Sequence, residues 1–509
     1  MKRYLIIIFL CINSLGFSQS PYNKVKYYMG DSTAWSSNID VMVKLDNYIY
    51  IGGYSYSSYL TYRTYLAKLD EFGNKVNDLI IGCDSVIYYP GVGNSMIVDD
   101  DSNVVLVGQT FYKQWNGFVV KLNKNLDTLW NKKYTFPDSL INYACDTPRH
   151  VFKAIEKTPD GNYIIMGSYF KNCNYTHNNE SPYLIKLDKN GNILWRKLYP
   201  NLLSSSDIAA TSDSGFVFSA VSYGINITKI DSLGSIKWSV TPNNTLKFLS
   251  TDIVCTGNTT IAVVPYKYYG TDVYSNKFGL DVTKVNSLTG QIIWNKQYIP
   301  MSTVRCPTLH QHIEVEVDAN DNIIIAGTGY VLNYDTTAGA YRGFLMKLNS
   351  NGDSLWTHYY DWGDFFQRDS QFNDFVITDD GGILAGGFWN PPHLNYKQGA
   401  WLVKTDSMGN APGVFTVGIK ENVLVITKHN VNVYPNPATD NFNLRFEQSP
   451  KANMQLSIYS TTGTLVKQQQ ITAFSNEYRV DIRELKSGVY FIRLESDGEV
   501  VYSGKFIKQ

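Results

Sequence analysis

Side chains able to do chemistry are sparse in this sequence, and the densest set is HQHIEVEVD (310–318), where His310, His312, Glu314 and Glu316 recur at every second position. Such alternation puts all of them on one face of a strand. Imidazole and carboxylate together could hold zinc or another transition metal. Neighbours at i and i+2 stand about 6.6 Å apart along a strand, however, wider than the ligands of one ion sit without loop curvature. The set is therefore expected to be a polar inner strand facing a hydrated channel. The turns VDDDSN (98–103), DANDN (318–322) and TDDGG (378–382) could draw calcium, but none belongs to a calcium-binding loop closed by Glu. Asp, Asn and Gly are equally what tight turns require. Asp361 and Asp364 could in principle form an acid–base pair. No G-x-S-x-G elbow, P-loop or H-E-x-x-H occurs in the chain, so no catalytic residue, metal ligand or cofactor is assigned.

Flat side chains are plentiful where the sequence is irregular. Tyr59, Tyr62, Trp115, Tyr175, Tyr268, Tyr269, Trp362, Phe365, Trp389 and Tyr396 fall in or beside long segments such as SYSSYLTYR (55–63), KNCNYTHNNESP (171–182), DWGDFFQRDSQF (361–372) and WNPPHLNYKQG (389–399). Aromatic faces beside Asn, Asp, Gln and Arg suit sugar rings or peptide segments, an apolar platform with polar edges. The competing role for each ring is to fold its own loop onto the scaffold.

The elements that must position these loops are repeated. YLIKLDKNGNILWRKLY (183–199) reads as two strands joined by a tight turn. Similar hairpins recur at 118–134, 226–240, 281–298 and 344–360, with weaker copies at 65–78 and 401–413. Each follows another strand pair, seen in HVFKAIEKTPDGNYIIMGSYF (150–170), so each repeat supplies four strands, a to d, at an average period of 56 residues from Lys68 to Lys404. Four-stranded units at this period predict an all-β fold, a seven-bladed β-propeller. Trp130, Trp195, Trp238 and Trp356 lie nine residues beyond the strand-c lysine and Trp294 ten, which predicts an outer-strand packing ring. The last copy, WLVKTDSMGNAPG, lacks a strand d, while YNKVKYYMG (22–30) is a strand with no a to c strands before it. This N-terminal strand is expected to pair with strand c of the last blade and close the ring. The short a–b and c–d turns then lie on one rim, and the long b–c turns and d–a connections on the other, which is the expected binding face.

Lys and Arg number 45, as do Asp and Glu, so the formal charge is zero and nucleic acid is disfavoured as a partner. MKRYLIIIFLCINSLGFSQS has the basic start, apolar run and small residues of a secretory leader, residues 1–18. No later stretch is apolar enough, over the roughly 20 residues needed, to span a bilayer. Of Cys83, Cys145, Cys173, Cys255 and Cys306, Cys145 with Cys173 is the expected disulfide, their loops meeting on one rim in an exporting context. The propeller is expected over 19–413, a linker over 414–430 and a small C-terminal β-sandwich over 431–509.

That tail carries VYPNP (433–437), LSIYSTTG (456–463), LKSGVYFIRL (485–494) and the closing Lys505 and Lys508. In these it resembles the type A C-terminal sorting domain of the Bacteroidetes type IX secretion system, with Tyr434, Pro435, Asn436, Pro437, Gly488 and Tyr490 as its motif residues. The resemblance implies export in two stages: the leader takes the chain to the periplasm, and the tail addresses it to the secretion machinery for release or attachment at the cell surface. The repeats look like those of secreted bacterial propellers, and VNSLTGQIIW (285–294) is similar to the tryptophan-docking repeat of quinoprotein propellers, which implies fold rather than quinone chemistry. The functional expectation is a glycan- or protein-binding module. A hydrolase or lyase with carboxylates on the loop-rich face, or a structural adhesin without a small ligand, are the alternatives.

Overall fold

The computed structural model describes residues 21–26, 36–56, 62–82, 86–91, 93–112, 114–135, 149–170, 180–202, 205–221, 225–242, 251–268, 277–298, 313–332, 339–361, 369–390, 398–412, 414–415, 431–446, 453–460, 465–472, 475–496 and 499–509. The leader, Cys145, Cys173, His310 and His312 lie outside them. Every regular element among the described residues is a strand. The chain divides into two compact units, Met1–Ile419 and Lys420–Gln509.

The hairpin at 183–199 shows how the repeats work. Strands Glu180–Leu187 and Ile193–Leu198 pair antiparallel with Lys186 opposite Trp195. Between them the Asp188 carboxylate accepts the N–H groups of Asn190 and Asn192 at 2.9 and 2.8 Å, and Gly191 takes a φ of 76°, open to glycine at little cost. Strand c is buried along its whole length while strand d is exposed at its start and half-buried beyond, as a central and an edge strand should be. The same lysine–tryptophan opposition recurs at Lys121/Trp130, Lys229/Trp238, Lys284/Trp294 and Lys347/Trp356.

The repeated lysine has a partner that explains the Asp-rich turns. Lys121 pairs with Asp99 at 2.7 Å, Lys186 with Asp160 at 2.8 Å, Lys347 with Asp318 at 2.8 Å and Lys404 with Asp380 at 3.0 Å, strand c to a–b turn of the same sheet. Asp99, Asp318 and Asp380, one carboxylate in each of the turns 98–103, 318–322 and 378–382, are thus engaged in turn hydrogen bonds and these ion pairs.

Each tryptophan reaches the next sheet. A Cβ placed on Gly191 would stand 3.0 Å from Trp130, one on Gly234 3.2 Å from Trp195, and one on Gly352 3.0 Å from Trp294. Four residues after the tryptophan, Tyr134, Tyr199 and Tyr360 donate to the carbonyls of Gly191, Gly234 and Gly409 at 2.8, 2.8 and 2.7 Å, and Tyr298 does the same to Gly352. The outer strand of one sheet is therefore docked on the c–d turn of the next.

Within residues 22–415 the described strands form seven antiparallel sheets, in a β-propeller-like arrangement. Each consecutive pair shares one apolar cluster. The last of these joins Leu384, Ala400 and Leu402 of the final sheet to Ile39, Met42 and Ile51 of the first. The innermost strands neighbour one another in closed succession.

Tyr22–Lys26 pairs with Gly399–Lys404, Tyr22 opposite Lys404 and Val25 opposite Trp401, so the strand missing from the last repeat comes from the other end of the chain. Tyr22 also takes over the docking role, its phenol oxygen 3.1 Å from a Cβ placed on Gly73 of the first sheet. Asn23 fastens it, accepting the Trp401 indole N–H at 2.7 Å and donating to the Asp361 and Pro412 carbonyls at 2.8 and 3.0 Å. Two departures from the repeat concern strand a: in the first sheet it is divided into Ser36–Ser37 and Val41–Leu45, in the second into Ile87–Pro90 and Met96–Val98.

In the second unit, strands Val431–Tyr434, Asn441–Phe446 and Glu477–Asp481 form one sheet; Leu465–Ile471, Met454–Ser460, Gly488–Ser496 and Glu499–Lys508 form another. Both contribute to one core containing Phe442, Leu444, Ile458, Val480, Leu494 and Phe506.

Candidate binding face and axial carboxyl cluster

At the b–c rim, strand alternation gathers rings from two neighbouring sheets. In the first, Tyr56 opposes Tyr62 and Tyr54 opposes Thr64, so Tyr54 and Tyr62 share a face. In the second, Phe111 opposes Trp115 and Tyr89 opposes Gln109. These meet in one group: Tyr54 and Tyr62 stand 5.9 Å apart, Tyr62 and Tyr89 4.9 Å, Tyr89 and Trp115 6.1 Å in a stack, and Phe111 and Trp115 5.0 Å. All five rings are half-buried, as are Arg63, Gln109 and Asn116 beside them in the strands. Burial raises the Tyr89 phenol above its usual range, reinforced by Tyr62, so its hydroxyl stays neutral and can donate as well as accept.

The other loop aromatics have separate fates. Trp389 is buried in the cluster holding Phe372 and Trp401. Tyr268 closes strand Thr259–Tyr268 opposite Lys277. Tyr59, Tyr175, Tyr269, Trp362, Phe365 and Tyr396 lie outside the described residues. Asp361 is held by Arg342 at 3.0 Å, both almost fully buried, and accepts Ser370 Oγ at 3.0 Å. A carboxylate committed to a buried guanidinium is a poor proton shuttle. Asp364 lies outside the described residues.

Toward the axis the inner strands carry carboxyl groups that composition gives no hint of. Asp40, Asp207, Asp252, Glu314 and Asp374 are each less than 9% exposed. Irregularities help to aim them: the pairing register shifts between Ser205 and Ile208 and between Phe372 and Asp374, and such bulges turn a side chain off the sheet face. Several link sheets directly. Asp374 accepts the N–H of Met42 at 2.5 Å, Asp207 that of Ile253 at 3.0 Å, and Asp252 that of Val315. Burial is the main cause that lifts their proton affinities: Asp40 is pushed up to about 7, and Asp207, Asp252, Glu314 and Asp374 are all raised, with neighbouring carboxylates adding to the effect at Asp252, Glu314 and Asp374. Glu156, half-buried, and Glu316, whose side chain is exposed, are raised in the same direction, first by desolvation within the ring and then by the Asp207 carboxylate. Among the described residues no three His, Cys, Asp or Glu side chains are arranged to hold a metal ion.

Of the residues expected to bind, Tyr62 and Trp115 are brought together; Tyr54, Tyr89 and Phe111 join them without having been expected. Strand alternation would have added Tyr54 and Phe111, but Tyr89 sits in IYYP, a strand a interrupted before its usual length.

In the tail, Tyr434 donates to Glu477 at 2.6 Å and Asn436 ties the start of the domain to its last strand, donating to the Lys505 carbonyl at 3.2 Å and accepting the Ile507 N–H at 2.9 Å. The Tyr434–Pro435 and Asn436–Pro437 bonds are cis. Gly488 opposes Lys508, and Tyr490 stacks on Phe506 at 5.5 Å in the core. Val489, Phe491 and Ile507, by contrast, are 40 to 47% exposed on the larger sheet.

Residues 432–509 match the model of the secretion system C-terminal sorting domain. The class defined here is an all-β, β-propeller-like chain bearing such a domain, which implies export to the cell surface or the medium and a partner in the secretion machinery. No curated protein matches the chain. Similar solved structures include the Pan2 WD40 domain of Neurospora crassa, 9% identical over 74% of this chain and 97% of that one with a TM-score of 0.41. Others are the phage phi92 endosialidase, 10% identical over 75% and 69% with a TM-score of 0.37, and a mutant of the NanB sialidase from Streptococcus pneumoniae, 10% identical over 71% of its chain and 76% of this one with a TM-score of 0.38.

Proposed function

We propose that residues 19–413 are an exported seven-bladed β-propeller that binds a glycan or a protein on the rim bearing its b–c turns. In this reading the leader, residues 1–18, delivers the chain to the periplasm. Residues 414–430 are a linker, and residues 431–509 are a β-sandwich read by the type IX machinery. The observation that carries the binding assignment is the five-ring group of Tyr54, Tyr62, Tyr89, Phe111 and Trp115 on two adjoining sheets, whose rings combine apolar faces with phenol and indole hydrogen-bonding groups. A scaffold of rigid sheets holds that group in place without further ordering on contact.

The test is a glycan and peptide array probed with the chain from residue 19 onward. Binding is expected, and Trp115→Ala should weaken it by about 2 kcal/mol, roughly 30-fold in Kd, as for other central aromatic contacts, with the melting temperature little changed. Silence across the array, or retention of full affinity by Trp115→Ala and Tyr62→Ala, defeats the assignment. For export, a chain lacking residues 432–509 is expected to accumulate in the periplasm, and Phe491→Asp, on the exposed face of the tail, to reduce secretion without unfolding the domain. Undiminished release of the truncated chain would remove the sorting role.

A further inference from the structure

The interruption of strand a in the second sheet leaves Gly91 and Ser95 hydrogen-bonded to Val107 of their own sheet but sends Gly93 and Asn94 across the ring. Gly93 donates its N–H to the Asp40 carbonyl of the first sheet at 3.0 Å, and the Asn94 carbonyl accepts the N–H of Ile155 in the third at 2.8 Å. The Asn94 amide donates to Asp207 of the fourth sheet at 3.0 Å and to Asp252 of the fifth at 2.9 Å. Gly93 presses on Glu314 of the sixth, leaving no space for a Cβ between them. One short excursion thus touches five other sheets, which places it on the axis. Glycine permits it: Gly93 has a φ of 67°, and a Cβ on Gly91 would stand 2.7 Å from the Lys153 carbonyl.

We propose that these residues form an axial plug whose seating is governed by the ionisation of the carboxyl groups beneath it, Asp207, Asp252 and Glu314. A neutral amide can bridge two carboxyl groups that share protons, but three carboxylates forced together in a dry site repel one another and favour hydration. Among the described residues, charged groups around the site include Asp40 on the first sheet, Lys153 and Glu156 on the third, Glu316 on the sixth and Asp374 on the seventh. Lys153 pairs with Glu180 at 2.5 Å. The direction follows from linkage. Carboxyls with folded affinities raised above the unfolded value near 4 hold extra protons in the folded state, and stability is present in full at low pH and is lost as pH rises through their folded values. With Asp40 pushed up to about 7 and Asp207, Asp252 and Glu314 raised in the same direction, the plug is seated at about pH 5.5 and loosens as pH rises through about 7 and above.

Hydrogen exchange on the full chain reads this directly. After correction for intrinsic rates, amides of the segment containing Gly93 to Val98, and that of Ile155, are expected to lose roughly tenfold protection or more between about pH 5.5 and about pH 8.5, while Tyr163 to Phe170 in the neighbouring sheet keep theirs. Asp207→Asn with Asp252→Asn should flatten the pH dependence; Glu314→Gln serves the same purpose should the pair prevent folding. Equal protection of the wild-type segment at both pH values would overturn the proposal, as would a pH loss undiminished in the neutral variants. A response to chelator in place of pH would also overturn it, pointing to a bound cation as the control.

Discussion

A chain without residues 21–26 is expected to lose its cooperative thermal transition or to melt roughly 10 °C or more below the intact protein. Among the described residues, those six supply the only partner for the outer edge of strand Gly399–Lys404 in its sheet. Their removal exposes backbone donors and acceptors of a strand that is buried throughout and uncovers Trp401, which has no solvent exposure in the intact fold. Trp401 stacks on Phe372 at 4.5 Å and donates to Asn23, so Trp401→Ala alone should cost about 3–5 kcal/mol. That is a large part of the roughly 5–15 kcal/mol that keeps a domain folded. Adding a synthetic peptide of residues 21–30 to the truncated chain should restore the transition in a concentration-dependent way. Unchanged melting of the truncated chain would mean that the ring does not depend on this strand.

The second large effect is expected at Arg342. It is 1% exposed and holds Asp361 within a site that excludes water, and burial lowers the guanidinium's proton affinity against the opposing pull of Asp361 and Asp369. Arg342→Met strands a buried carboxylate and should cost about 3–5 kcal/mol. Pairing it with Asp361→Leu should recover most of that loss, because the fully buried carboxylate then leaves with its cation and only the half-buried Asp369 remains. Chemical denaturation of the two variants separates the cases, and equal destabilisation by both would show that packing rather than charge sets the cost.

How far the sequence reveals this architecture differs from element to element. The c–d hairpins are legible because strand and turn chemistry agree: Asp188 or its counterparts at the turn entry, glycine at a positive φ, and tryptophan at fixed distance. The missing outer strand and its replacement by Tyr22–Lys26 are legible for the same reason, as a deficit at one end matched by a surplus at the other. The tyrosine four residues beyond Trp130, Trp195, Trp294 and Trp356, though not Trp238, is nearly as regular a signal, and its purpose becomes plain only when the neighbouring turn is seen to accept its hydroxyl. The axial cluster is different. Asp207, Asp252 and Glu314 come from three sheets and have no sequence spacing in common, and it takes the closed ring to bring them together. Glu314 is legible only as part of an alternating run with His310 and His312, which points along the strand, whereas its partners lie across the axis. Asn94 was hidden because a glycine-rich interruption reads as an ordinary loop. Tyr62 and Trp115 were found through their loops, whereas Tyr89 entered their group from an inner strand.

The pairing of Val25 with Trp401 joins positions from opposite ends of the first unit. Ribosomes deliver a polypeptide from its amino end, so Tyr22–Lys26 emerges well before the strand it pairs with and waits for nearly every repeat to follow. A message broken off early, or a product clipped before Gly399, offers this waiting segment no acceptor. Completion of the circle thus acts as an inspection of length, and fragments that fail it keep unsatisfied edges for proteases to find.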